Sequence, residues 1–132
     1  MNVNEKGVKG LIKVIDDLSD RGYYVYPAFD DHSPVDLIAM SRQGRLIRLQ
    51  VKYRTPMPGK VSERYELHAR SMVNGKSIPI DRSLIDGWAV YMAGCKRVKY
   101  IPIAAFEGKQ QIVVNPDKDY GELDEWLKSA PC

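Results

Sequence analysis

The sequence predicts an α/β domain in which a helix packs across a sheet, and three stretches carry that prediction. Val8 to Leu18 repeats apolar side chains at helical spacing, residues 23–29 form a β-rich run, and residues 33–54 read as two short strands joined by a turn. Helix, strand and hairpin in that order begin an α/β layer. With 132 residues and 44% hydrophobic side chains, the chain is expected to form one domain, 1–132, around a single core.

The helix comes first. Val8, Leu11, Ile12, Ile15 and Leu18 fall on one side, with Lys9, Lys13, Asp16, Asp17 and Asp20 on the other, and Asn4 is the expected N-cap. Gly22 ends it. The run from Tyr23 to Phe29 carries Pro27 near its close, which suits an edge or end position. A loop, residues 30–34, then leads into the hairpin SPVDLIAMSRQGRLIRLQVKYR, whose turn is Arg42-Gln43-Gly44. After Arg54 the connector TPMPGK holds two prolines that no central strand accepts, and Arg64 to Ala69 is expected to return as a strand. Arg70 to Lys76 reads as a basic loop containing Asn-Gly. Asp86 to Met92 and Lys99 to Ile103 form a further strand pair, with Pro102 making the second an edge strand or marking its end, and Gln110 to Val114 is one more short strand. An acidic terminal helix presents Leu123, Trp126 and Leu127 as its stripe. Trp88 and Trp126 are expected in the core.

Charge is mild in total, +3, and uneven along the chain. From Arg42 to Arg70 eight basic residues face two acids, a net +6 that leaves −3 for the rest. Such a distribution points to a polyanionic partner. Two cysteines, Cys95 and Cys132, are too few for a disulfide framework or a zinc site and fit a reducing cytoplasm. No apolar run reaches the roughly 20 residues a membrane span requires, so no membrane partner is expected.

The chemistry concentrates in the hairpin. Alternation along its second strand places Ile47, Leu49, Val51 and Tyr53 on one face and Arg48, Gln50, Lys52 and Arg54 on the other. The first of these is expected to be core, and the second to lie against something anionic. Asp36, on the first strand, is brought beside Gln50 and Lys52 when the hairpin closes. An acid on one strand, followed on its neighbour by an acid or amide, any residue and a lysine, is the arrangement of the PD-(D/E)xK nucleases. Phosphodiester hydrolysis requires a hard cation held by oxygen ligands and a positive charge to stabilise the transition state. In that arrangement Asp36 and Gln50 supply metal ligands, the Val51 carbonyl adds another, and Lys52 orients the water or holds the phosphate.

Much more of the chain matches. Lys6-Gly7, Gly10-Leu11, Asp17-Leu18, RGYYV, Pro27, DHSPVDLIA and LQVKYR, followed by PIDRSLIDGWAVYMAGCKRVKYIP, resemble the small bacterial and phage PD-(D/E)xK endonucleases, a family that includes a cyanobacterial group I intron homing enzyme. The resemblance spans about residues 5–106, with DLIA and QVKYR its most specific blocks. It implies a restriction-endonuclease-like core, a mixed central sheet flanked by helices in αβββαβ order. It further implies magnesium-dependent cleavage of double-stranded DNA, with manganese as the substitute metal, by a homodimer or homotetramer in which each protomer cuts one strand. Many superfamily members place a glutamate in the first helix shortly after the Lys-Gly pair. Leu11 stands at that place here, and Glu5 is the nearest acid, the expected fourth catalytic residue. Lys9, Arg48, Arg54, Lys60, Arg64, Arg70 and Lys76 are the expected DNA contacts. Two alternatives stand beside a sequence-specific, homing-type endonuclease: a Holliday junction resolvase-like cutter of branched DNA, and a DNA-binding relative that has lost catalysis.

Overall fold

The structure, a computed structural model, describes residues 1–30 and 32–126. Its elements are α1 (Val3–Asp20), β1 (Tyr24–Pro27), β2 (Leu37–Met40), β3 (Leu46–Arg54), β4 (Tyr65–His68), β5 (Arg70–Val73), β6 (Lys76–Pro79), a 3-10 turn (Arg82–Leu84), β7 (Gly87–Met92), β8 (Arg97–Pro102), a second 3-10 turn (Ile103–Phe106), β9 (Gln111–Val114) and α2 (Leu123–Trp126). The stripe residue Leu127 lies outside the described residues.

Helix α1 is capped two residues earlier than expected. The Asn2 side chain accepts the Glu5 backbone N–H at 2.9 Å, so Asn2 rather than Asn4 caps it. Its buried face consists of Gly10, Val14 and Leu18, with Leu11 and Ile15 packed beside them, whereas Val8 and Ile12 of the expected stripe turn outward at 58% exposure each.

Five strands form one sheet in the order β1-β2-β3-β7-β8, antiparallel throughout except for the parallel β3–β7 pair. The two edges are therefore the two proline-bearing strands, β1 and β8, as proline's missing N–H requires. Strand β7 is buried at all six residues, as befits a strand covered on both faces. A parallel pair needs a crossover. Here the crossover from β3 to β7 runs through β4, the β5–β6 hairpin and the first 3-10 turn, and among the described residues it carries no α-helix where the αβββαβ order places one. Pro56, Pro58 and Pro79, with short alternating runs between them, give that segment no 3.6-residue apolar period. Strand β4 pairs with β9 instead of joining the central sheet. The segment expected as a basic loop is the β5–β6 hairpin, turned at Asn74 (φ 51°) and Gly75 (φ 77°), a sequence and geometry suited to a tight two-residue turn.

The sheet therefore has a core on each face. Towards α1 lie Val14, Leu18, Leu37, Ala39, Ile47, Leu49 and Ala89. On the opposite side Tyr65, Leu67, Ile85, Trp88, Val90, Met92, Ile101 and Phe106 pack under the β4–β9 ribbon. Both faces of β3 are thus covered, which corrects the expectation of one apolar face and one face open to an anion.

Candidate active site

Strands β2 and β3 pair from Leu37↔Leu49 to Met40↔Leu46, and the chemistry sits where that pairing ends. Asp36 is the residue before β2. Its N–H donates to the Leu49 carbonyl at 2.9 Å, and its Oδ2 accepts the Val51 N–H at 2.7 Å. The carboxylate is thereby fixed in the fork where the two strands part, with Oδ1 taking no hydrogen bond among the described residues. A cavity of about 340 Å³ opens in front of it, lined by Gly7 and Leu11 of α1, Ala28, Phe29 and Asp30 of the loop after β1, and Asp36, Val51 and Tyr53.

Lys52 lies on the buried side of the fork. Its ammonium donates to the Arg70 carbonyl at 3.4 Å, at the base of the β5–β6 ribbon. Burial lowers its pKa, the Arg54 charge lowers it further, and Asp36 partly offsets both. Burial raises the Asp36 pKa, while the Val51 N–H and the Lys52 charge pull the other way. The carboxylate and the ammonium therefore sit within each other's field in a poorly solvated place, an arrangement common at catalytic sites. Gln50 is 5% exposed, and its Oε1 accepts the Trp88 indole N–H at 2.9 Å across the parallel β3–β7 pair. That bond satisfies both groups inside the second core and leaves the amide oxygen one further lone pair.

The structure brings Asp36, the Val51 N–H and Lys52 together at the fork, whereas the Gln50 amide is turned to Trp88 in the second core. Glu5 stands apart: it is exposed, in the first turn of α1, and absent from the cavity wall. At about 100° per residue it points some 200° away from Gly7, the helix residue that does line the cavity. Among the expected DNA contacts, Lys9, Lys60 and Lys76 are exposed. Arg48 is engaged by Asp86 at 3.0 Å and by the Ser83 carbonyl at 3.1 Å, and half-buried Arg54 donates to the Glu66 and Tyr53 carbonyls at 3.0 Å each. Arg64 donates to the Glu63 carbonyl, and Arg70 clamps Ser77 through its hydroxyl and carbonyl, both at 2.8 Å. The sequence reading assigned no role to Asp30, which lines the cavity from a loop with no periodic signal, or to Asp86, read only as the start of a strand, which pairs with Arg48.

Oxygen donors of the kind a hard divalent cation prefers converge at the fork: the open Asp36 carboxylate oxygen and the Val51 carbonyl. Magnesium is commonly held by one or two carboxylates and retains several waters, so this donor set fits it, although no group of three or more His, Cys, Asp or Glu side chains gathers there among the described residues. A mixed sheet with an acid and a lysine on neighbouring strands at a fork defines a restriction-endonuclease-like domain. The PD-(D/E)XK endonuclease family model matches residues 1–122, and the chain belongs to that family. The solved structure of a bacterial homing endonuclease, I-Ssp6803I, shares the fold with a TM-score of 0.69 over 97% of this chain and 93% of that one, at 14% sequence identity. No curated protein sequence matches. No helix among the described residues is long and apolar enough to cross a membrane.

Proposed function

We propose that this nuclease is a magnesium-dependent, sequence-specific DNA endonuclease of the homing type, acting as a homo-oligomer on double-stranded DNA. The observation that carries the reading is the fork itself, with Asp36 pinned by the Val51 N–H and within the field of Lys52. Asp36 and the Val51 carbonyl would hold the cation, which when bound polarises the phosphate and readies a water. Gln50, held by Trp88, keeps β3 and β7 in register beneath the site and offers its remaining lone pair to the same pole. Lys52 neutralises the charge that builds on the phosphate oxygens, and its tether to the Arg70 carbonyl aims it.

The β5–β6 ribbon and the residue 55–60 connector supply the contacts to the duplex. A two-stranded ribbon has the width of the major groove, and Arg70, Lys76, Lys60 and Arg64 bring positive charge to that side. One protomer offers a short reading surface, so specificity over a long site comes from repeating it by symmetry. Cleavage of a plasmid library of the source genome tests the reading, with cut ends located by sequencing. Cuts at one recurring sequence, abolished by chelator and by Asp36→Asn, are expected. Equal cutting of every sequence, or preferential cutting of a four-way junction over linear duplex, contradicts sequence specificity, and tight DNA binding without cutting in magnesium or manganese contradicts the nuclease reading.

A further inference from the structure

We infer that the cavity at the end of β3, lined by Lys6, Arg54 and His68, seats one phosphate of the DNA backbone, a neighbour of the phosphate at the fork, and so positions the strand to be cut. The inference rests on the nuclease reading and gives the substrate a second fixed point. The cavity, of about 390 Å³, closes around Tyr53, Arg54 and Thr55, where the strand gives way to the connector. It adjoins the fork: Tyr53 lines both cavities, and α1 enters one through Lys6 and the other through Gly7. Arg54 stands two residues beyond Lys52, about 7 Å along the strand at roughly 3.3 Å per residue, so it meets a neighbouring phosphate rather than the one Lys52 holds.

In that wall Lys6, Arg54 and His68 face a single carboxylate, Glu66. Glu66 is already engaged, accepting from the Gln111 amide and lying 3.7 Å from His68 Nε2. The half-buried Arg54 guanidinium donates through Nε and Nη1 to the neutral Glu66 and Tyr53 carbonyls, and it has no ion pair among the described residues. Burial disfavours its charge, and the field of Glu66 offsets that only in part. A buried cation without a counter-ion costs free energy that an incoming anion recovers. The two carbonyls hold the guanidinium still and leave Nη2 for a phosphate oxygen. The Lys6 ammonium, also half-buried and without an ion pair among the described residues, supplies the second charge. Arg54 also disfavours the charged form of Lys52, so a phosphate seated beside Arg54 relieves that repulsion and favours the ammonium the reaction uses. A guanidinium that served only to tie β3 to β4 would need its two carbonyls and no anion.

The test is a proton–nitrogen NMR titration of the full chain with inorganic phosphate at constant ionic strength, followed by a short DNA duplex. The Arg54 Nε–H and the Lys6 and Thr55 amides are expected to shift together and to saturate. Lys6→Gln and His68→Gln each weaken phosphate about three- to tenfold, whereas Asp36→Asn, at the fork, changes it less than about twofold. The duplex is expected to displace the phosphate, and Lys6→Gln to raise the DNA concentration needed for half-maximal cutting. Shifts that never saturate, that scatter over exposed lysines, or that persist unchanged in Lys6→Gln overturn the inference. A duplex that binds while the phosphate stays in place also overturns it, since the cavity would then serve free phosphate. Competition as expected, in a wild-type protein that cuts no DNA in magnesium or manganese, upholds the phosphate seat and overturns the nuclease reading.

Discussion

At the scale of single residues, the site is a compromise between charge and burial. Asp36 has a raised pKa chiefly because burial disfavours its ionised form. Its contribution to stability is therefore complete below the ordinary carboxylate range, near 3.9, and is lost as pH rises through the raised folded value, so at neutral pH the ionised group costs stability. Asp36→Asn keeps an acceptor for the Val51 N–H and removes that cost. It is expected to abolish cutting while raising stability at pH 7 by about 0.5–2 kcal/mol, read by urea denaturation. Lys52 shifts the other way, mainly through burial. Cutting that needs its ammonium falls as pH rises through a value below the ordinary lysine range, near 10.4. In Lys52→Arg that falling limb disappears from the pH–rate profile, because a guanidinium stays charged throughout. Asp36, Gln50 and Lys52 were legible in the sequence because a strand's two-residue period makes their faces calculable. The loop that lines the cavity, Ala28 to Asp30, was not, since a loop has no period and its place depends on how the chain folds back over the fork.

At the scale of elements, β3 shows what periodicity conveys and what it omits. Its alternation was legible, yet on the face bearing Gln50, Lys52 and Arg54 the amide meets Trp88 and the two cations meet the Arg70 and Glu66 carbonyls, because the crossover folds back over it. Nothing local to residues 46–54 records that cover. The β5–β6 hairpin shows the converse. Asn74-Gly75 was read as a loop, but both residues adopt positive φ and the flanking strands pair in full register. The ribbon projects exposed Met72, Lys76 and Ile78, while Arg70 locks its base to Ser77. Lys76→Ala is expected to reduce the slope of log affinity against log salt by about 1 and to leave the cutting rate at saturating DNA unchanged. A filter-binding series from low to high salt, paired with single-turnover cutting, measures both.

At the scale of the whole molecule, the β2–β3 pairing followed from the hairpin and an edge or end position for β1 and β8 from their prolines, whereas the strand order and the crossover did not. Residues 55–80 connect two parallel strands by short ribbons, and tertiary packing decides their course. One close approach anchors them: a Cβ on Gly94 would fall 2.6 Å from Pro56 Cγ and 2.6 Å from the Tyr65 hydroxyl. That hydroxyl also accepts the Cys95 N–H at 3.2 Å and donates to Glu63 at 2.8 Å. Gly94→Ala is therefore expected to destabilise the fold by about 1–3 kcal/mol, seen as a lower urea midpoint, by wedging the connector away from the β7–β8 turn. The crossover also carries the Arg70 carbonyl to Lys52, so the β5–β6 ribbon and the β2–β3 fork are joined by a direct hydrogen bond. The measurement that bears most directly on the whole account is the nicking rate of supercoiled target DNA in excess magnesium, wild type against Lys52→Ala. A fall of at least about a hundredfold, with DNA affinity preserved, is the predicted result. Equal rates in the two proteins would contradict the assignment of the β2–β3 fork as the active site.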